Sequence, residues 1–365
     1  MPKKFFFLFV FVAVVSIALI ACSAQETADE DQAVNEDAGV SAAADAEEQG
    51  TEENNQAERE AVSEEQDEVS AYPTRDIEFL VGHGAGGGTD LFARKVAELL
   101  EPHLGVNINV INFEGAGGVI AKEEAAKRPA DGYTLVALSA FPVSTAFGTN
   151  QHGLDVLTPL ARFQSDTYTI MVNSEQFSDI DEFLAYAEDN PGQVRLGATS
   201  TGNTDEINAR RFIEATGKDI IYVPFDGAGD MHSALLGGHV EALLEEIGPT
   251  IDYVESGKMK PILFFAEERL ADFPETPTTV EKGWDDLIQG VERGVGIRKD
   301  VPEEIIQKLE DVLKQVYDSE EYQQFEEQRY LHLREGWLNA ADYRKRLEED
   351  IALYQEIIEQ LGIQQ

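Results

Sequence analysis

Nine consecutive residues, Gly82-His83-Gly84-Ala85-Gly86-Gly87-Gly88-Thr89-Asp90, restrict the possible folds of this chain most. They follow an apolar run, Ile77 to Val81, that reads as a strand. They lead into a helical pattern with Phe92, Val96, Leu99 and Leu100 on one face. A glycine-crowded passage from strand to helix lets several backbone N–H groups point outward together. They do so at the helix end that carries roughly half a positive charge. Such a turn can hold an anion without lysine or arginine. A shorter version, Gly115-Ala116-Gly117-Gly118, follows the strand pattern Ile108 to Ile111.

Strand and helix patterns alternate onward from there, which argues for an α/β fold with largely parallel sheets. Strands are expected at Thr134–Leu138, Thr167–Val172, Val194–Ala198, Ile220–Val223, Val240–Leu244 and Lys260–Phe265. Helices are expected at Asp179–Asp189, Asp205–Thr216 and Ala228–Leu236. Toward the C-terminus Ile305, Leu309, Val312 and Val316 step as one helical face, as do Tyr343, Leu347, Ile351, Tyr354, Ile358 and Leu361. These stripes read most simply as core contacts.

The N-terminus points to export. Lys3 and Lys4 precede an apolar run from Phe5 to Ala21, closed by Leu19-Ile20-Ala21 before Cys22. Residues 1–21 read as a signal peptide, with Cys22 resembling the lipidated cysteine of a bacterial lipobox. The alternative is an uncleaved membrane anchor, since the run approaches the ~20 residues that span a bilayer. Cys22 is the one cysteine of the chain, so no intrachain disulfide supports the fold. Residues 22–71 have no apolar periodicity, and Glu26 to Glu68 holds 17 carboxylates against Arg59. Such a segment buries too little surface to fold and reads as an acidic disordered tether.

The folded part then begins near Tyr72, long enough for two lobes. The chain carries −42; with −16 in the tether and +2 from Lys3 and Lys4, −28 remains on this part. That surface repels nucleic acid and gives anionic ligands no long-range steering.

Catalytic and cofactor patterns are sparse. Gly82, Gly84 and Gly87 match G-x-G-x-x-G, yet no acidic residue stands at a strand end about 20 residues on, and NAD is scarce outside the cytoplasm. No lysine follows as in a phosphate P-loop, no G-x-S-x-G elbow exists, and the six histidines never form H-x-x-x-H. No cofactor and no metal is expected. His83 lies in the anion loop and either donates a hydrogen bond there or is a surface histidine. Thr199 to Thr204, after one strand and before the helix from Asp205, repeats the first turn from the other half of the chain. It reads as a second ligand loop, with an ordinary helix cap as the alternative.

Taken in order, these motifs resemble the solute receptors of tripartite tricarboxylate transporters, also called the Bug family. The resemblance runs from Tyr72-Pro73-Thr74-Arg75 through Val81–Asp90, Asn112-Phe113-Glu114-Gly115-Ala116-Gly117-Gly118 and Asp131-Gly132-Tyr133-Thr134-Leu135. It continues at Tyr222-Val223-Pro224-Phe225-Asp226-Gly227, Gly237-Gly238-His239-Val240-Glu241 and Pro274–Glu281. It implies an α/β, two-lobed periplasmic-binding-protein-like fold of type II, with a hinge and a central ligand cleft. Lobe 1 would take 72–170 with 255–365, and lobe 2 would take 171–254. It implies a monomeric, non-enzymatic receptor that captures a small carboxylate outside the cytoplasm and delivers it to a membrane permease. An exported sensor subunit for a membrane kinase is the alternative.

Carried onto this sequence, the ligand would meet the amides of Ala85, Gly86, Gly87, Gly88 and Thr89, with Asp90 capping the helix and fixing the loop. Ser139 would reach in from the same lobe. Thr199, Ser200, Thr201, Phe225 and Gly227 would hold the far end, with Glu245 near the cleft. Two departures stand out. Gly82 replaces the usual proline, and Phe225-Asp226 replaces a tyrosine with a basic residue. The latter argues against a second ligand carboxylate at that end and favours a monocarboxylate or an amino-bearing ligand.

Overall fold

The computed structural model describes residues 71–288 and 290–362. The signal peptide, Cys22 and all of the acidic tether but Ala71 lie outside them. Two mixed sheets organise the fold. The first has the order β11-β4-β10-β3-β1-β2, made of β1 (Ile77–Val81), β2 (Ile108–Asn112), β3 (Thr134–Ala137), β4 (Leu157–Asp166), β10 (Val291–Arg298) and β11 (Leu338–Asn339). The second has the order β7-β6-β8-β5-β9, made of β5 (Tyr168–Asn173), β6 (Val194–Thr199), β7 (Ile220–Phe225), β8 (Ala242–Glu246) and β9 (Met259–Phe264).

The expectation of largely parallel sheets needs correction. β1 pairs parallel with β2 and β3, and β6 with β7 and β8. β10 runs antiparallel to both β3 and β4, and β5 antiparallel to both β8 and β9. The antiparallel strands belong to the segments that carry the chain between the sheets, where no βαβ crossover imposes direction. The expected lobe limits also shift. The second sheet takes β5 whole from Tyr168 and β9 whole to Phe264, so neither residue 171 nor residue 254 marks its edge.

The chain passes between the sheets at Asp166–Tyr168 and again along 265–290. Arg334 binds both passages. Its Nε donates to Thr167 Oγ1 at 3.0 Å, and its Nη2 donates to the carbonyls of Phe265 and Ile288 at 2.9 and 2.6 Å. Gly290 must be glycine there, because a Cβ would stand 1.8 Å from the Asp166 carbonyl oxygen.

Each sheet has its own core. Phe79, Phe92, Phe163, Leu135, Leu309 and Tyr322 pack in the first. Phe183, Leu196, Phe212, Leu244 and Ile262 pack in the second. The helices that matter for the cleft are α1 (Gly88–Leu104), α2 (Val119–Lys127), α3 (Phe141–Ala146), α4 (Ile180–Asp189), α5 (Thr204–Thr216), α6 (Ala228–Leu236) and α7 (Ile247–Glu255). Two further helices, α8 (Glu303–Tyr317) and α9 (Glu320–Gln328), and the long α10 (Ala340–Leu361) complete the chain. The apolar stripe on α8 is buried as its spacing predicts, with Ile305, Leu309, Val312 and Val316 inside.

No described helix is long and apolar enough to cross a membrane.

Candidate ligand cleft

Between the two sheets lies a small cavity of about 40 Å³, lined from the first sheet's side by His83, Gly84, Gly87, Gly88, Thr89, Ser139, Ala140, Val291 and Arg293. From the second it is lined by Thr199, Asn203, Thr204, Asp205, Asp226, Gly227, Ala228, Glu245 and Glu246. Three helices therefore bring their N-terminal ends to one cavity: α1 at Gly87–Thr89, α5 at Asn203–Asp205 and α6 at Gly227–Ala228. The first amides of a helix have no acceptor inside it, so these ends are natural seats for an anion.

The first loop is fixed from below. The Asp90 carboxylate accepts the Gly86 N–H at 2.9 Å, Arg94 Nε at 2.9 Å and Asn112 Nδ2 at 3.0 Å. Asn112 also donates to the His83 carbonyl at 2.8 Å, so the end of β2 holds both ends of the turn. Asp90 fixes the loop but does not cap the helix. The N-cap is Gly87, which has no side chain to do so. The absence of a Cβ at Gly82 is a packing requirement, since one would stand 2.5 Å from the Gly118 Cα. The two glycine turns thus lie main chain against main chain.

The lobes already touch. A Cβ on Gly84 would stand 3.3 Å from the Gly227 Cα, and one on Gly117 would meet the carbonyls of Thr201 and Gly202 at 3.1 Å. The structure is that of a closed cleft.

Several expected site residues lie elsewhere. Gly87, Gly88, Thr89, Ser139, Thr199, Gly227 and Glu245 line the cavity. Ala85 and Gly86 are exposed and outside its wall, and the Gly86 amide is spent on Asp90. Asp90 is buried beneath the loop. Ser200, with φ +55°, donates its N–H to the Phe225 carbonyl at 2.6 Å, while its own carbonyl accepts from Tyr222. It therefore braces the loop. Thr201 faces the second glycine turn through its carbonyl. The Phe225 ring packs over Gly197, where a Cβ would stand 3.0 Å from it. Even Thr199, in the wall, commits its hydroxyl to Asp205.

Sequence reasoning missed Arg293. Its guanidinium lies under the start of α1, where a Cβ on Gly88 would come within 2.2 Å of Nη2. Nη1 donates to Asp166 at 3.1 Å, Nη2 to Glu246 at 2.8 Å and Nε to Thr89 Oγ1 at 3.3 Å. Burial works to raise the Glu246 carboxyl, but Arg293 holds it below the usual range. Asp166 is raised, by burial and by the Glu246 charge. Arg293 is thus the electrostatic hub that joins a strand of one sheet, a strand of the other and the first ligand loop.

The rest of the wall is mostly neutral or acidic. Burial lowers His83 to about 3, aided by Lys122 and Arg293, so its ring is neutral and lies 3.4 Å from the Ser139 hydroxyl. Lys122, on α2 behind it, is buried and donates to the Gly118 carbonyl at 3.1 Å; burial lowers it to about 7. Across the cavity, Asp205 accepts from Tyr168 at 2.5 Å, and burial with the Glu246 charge raises it to about 6. Burial and Glu246 raise Glu245 well above its ordinary value, and it shares a 2.9 Å bond with His232. No group of three or more His, Cys, Asp or Glu that could hold a metal occurs among the described residues.

The family model for the tripartite tricarboxylate transporter family receptor, TctC, matches residues 92–363. The chain belongs to that family. A UPF0065 protein from the gbd 5' region of Cupriavidus necator is 28% identical over 301 residues, covering 82% of this chain and 91% of the relative. BugT of Bordetella pertussis is 30% identical over 227 residues, covering 60% of this chain and 69% of its own. Among solved structures, one described as a periplasmic transporter is similar at 25% identity with a TM-score of 0.75, over 80% of this chain and 99% of that one. MatC from Rhodopseudomonas palustris, solved with bound malate, shares the fold at 23% identity and a TM-score of 0.71, over 79% of this chain and all of the other. The two-lobed receptor fold and the family implied by the ordered set of motifs are both borne out.

Proposed function

We propose that this TctC receptor captures a small carboxylate outside the cytoplasm by closing two lobes on it, and delivers it to a tripartite-type membrane permease. The observation that carries the reading is the convergence of three helix N-termini on one interlobe cavity. The amides of Gly87, Gly88 and Thr89 receive the carboxylate, and Ser139 and neutral His83 flank it. Backbone amides suit this task because they carry positive partial charge with no side chain to reorganise. The ligand touches both lobes only when they are closed, so it stabilises closure by its differential affinity for that state. The permease then recognises the closed shape. The protein acts by binding and release, without turnover of the acid. It works as a monomer held to a membrane surface by lipid on Cys22, with the acidic tether giving reach.

The test is calorimetry and thermal denaturation of the purified protein with a broad panel of mono- and dicarboxylates. At least one acid is expected to bind and to raise the Tm. A panel without any binder counts against the reading. Mass spectrometry of the membrane-extracted protein checks the anchor: a diacylated N-terminal Cys22 is expected, and an intact residue 1–21 segment refutes it.

A further inference from the structure

The two walls of the cleft differ in charge. On the first sheet's side stand the opening amides of α1, the Ser139 hydroxyl and the His83 ring, with the Lys122 amine behind the ring. Lys122 Nζ and His83 Cε1 would both lie within 3.2 Å of a Cβ on Gly118, which places the lysine nitrogen near the imidazole. This wall carries positive potential and no carboxylate. Arg293 adds none, because Asp166 and Glu246 take its guanidinium from both sides.

On the second sheet's side stand four acids, of which Arg293 pairs Glu246 and His232 bonds Glu245, leaving Asp205 and Asp226 without a basic partner among the described residues. Two helix N-termini open there, each beside one of these carboxylates. Asp205 occupies the first turn of α5, and Asp226 stands directly before the N-cap Gly227 of α6. Asp226 is exposed at the mouth, beside the point where Gly227 meets Gly84. A second carboxylate on the ligand would therefore be brought against like charge in a confined, partly dry space, where repulsion is stronger than in water.

Resting on the receptor reading above, we propose that the ligand is a zwitterion, a small acid with one carboxylate and one cationic amino or quaternary ammonium group. The carboxylate sits at the start of α1, and the cationic group faces the Asp205–Asp226 wall. Asp226 and Asp205 then set specificity by attraction to the cationic group and by repulsion of dicarboxylates. Such a ligand, neutral overall, sets an opposite charge against each wall. The carboxylate draws on the amides of α1, and the ammonium faces Asp205 and Asp226, neither of which forms an ion pair among the described residues.

The experiment uses triads that differ only at the far end: propionate, β-alanine and succinate; butyrate, 4-aminobutyrate and glutarate; with alanine and glycine betaine for an amino group beside the carboxylate. Each is titrated calorimetrically into the purified protein at pH 7.5. At least one amino-bearing member is expected to bind tenfold or more tighter than its plain and dicarboxylate partners, the worth of about one charge-assisted contact. Asp226→Asn is expected to shrink that preference several-fold and to raise dicarboxylate affinity, without moving the ligand-free Tm. Tighter binding of succinate or glutarate than of β-alanine or 4-aminobutyrate overturns the zwitterion proposal and leaves the carboxylate receptor standing. Failure of every compound to bind overturns both. Amino-acid binding that Asp226→Asn and Asp205→Asn both leave unchanged overturns the assignment of the acidic wall.

Discussion

Gly84 and Gly227 meet across the cleft main chain to main chain: a methyl group on Gly84 would stand 3.3 Å from the Gly227 Cα. One belongs to the first glycine turn and the other caps α6, so they are the seam at which the lobes shut. A branched side chain at this seam must hold the lobes apart while leaving each core intact. Gly84→Val is therefore expected to weaken ligand binding by tenfold or more, about 1.4 kcal/mol. The ligand-free Tm should shift little. Small-angle scattering with saturating ligand should show a more open particle than the parent. Unchanged affinity would mean that closure does not bring these loops together.

Gly82 illustrates the same point within one lobe. Its missing Cβ lets the Gly118 Cα approach, so Gly82→Ala forces the two glycine turns apart. Overpacking of this kind costs about 1–3 kcal/mol. Gly229→Ala is the matched control, because a Cβ there meets nothing within 4 Å. Urea denaturation should separate the two, with Gly82→Ala losing stability and Gly229→Ala neutral or slightly stabilised.

Arg293 is buried between Asp166 and Glu246. Removing one partner from a buried ion network leaves uncompensated charge, at a cost of about 3–5 kcal/mol. Arg293→Met should lower the urea midpoint accordingly. It should also abolish ligand-induced stabilisation, because the guanidinium supports Thr89 in the first ligand loop. A midpoint within experimental error of the parent would show that the network carries little stability.

Lys122 gives a pH signature. The unfolded chain keeps this proton up to the ordinary lysine range, whereas the folded protein loses it near 7 because burial disfavours the charge. Below the lower value both states are protonated and the penalty of the buried ammonium is fully present. Between the two values the unfolded state binds more protons, so stability rises with pH. Lys122→Met removes this dependence. The Tm advantage of Lys122→Met over the parent should therefore be largest at pH 6–7 and should shrink toward pH 9.5. A constant difference across that range would rule out a depressed lysine.

Features set by short-range chemistry were legible in the sequence. Gly82–Asp90 could be placed between a strand and a helix because the glycines and the apolar faces flank it directly. Ala228–Leu236 is a helix over the span its pattern indicates. β4 and β10 were missed because their strand character lies in tertiary packing. Pro159 and Arg162 interrupt β4, while β10 alternates Val291, Arg293, Val295 and Ile297 with Glu292, Gly294, Gly296 and Arg298, two charged residues and two glycines. Gly294 and Gly296 are bare because Tyr343 and Leu138 pack where their Cβ atoms would be, a reason visible only once α10 and β3 are in place. Arg293 was missed for the same cause: its partners Asp166 and Glu246 are 127 and 47 residues away. Ser200 and Phe225 show the opposite error. Residue type suggested ligand contacts, but the loop consumes both internally, one in a backbone bond and one in a ring packed over Gly197.

The Arg334 fastening of both passages between the sheets bears on how such a receptor signals its state. A single guanidinium that grips Thr167, Phe265 and Ile288 together makes the two connectors behave as one axle. Under the proposed closing motion, occupancy of the cavity would be broadcast as a change of pose on the distant outer rims of the lobes. The permease of the proposed function would read that pose without ever touching the molecule inside.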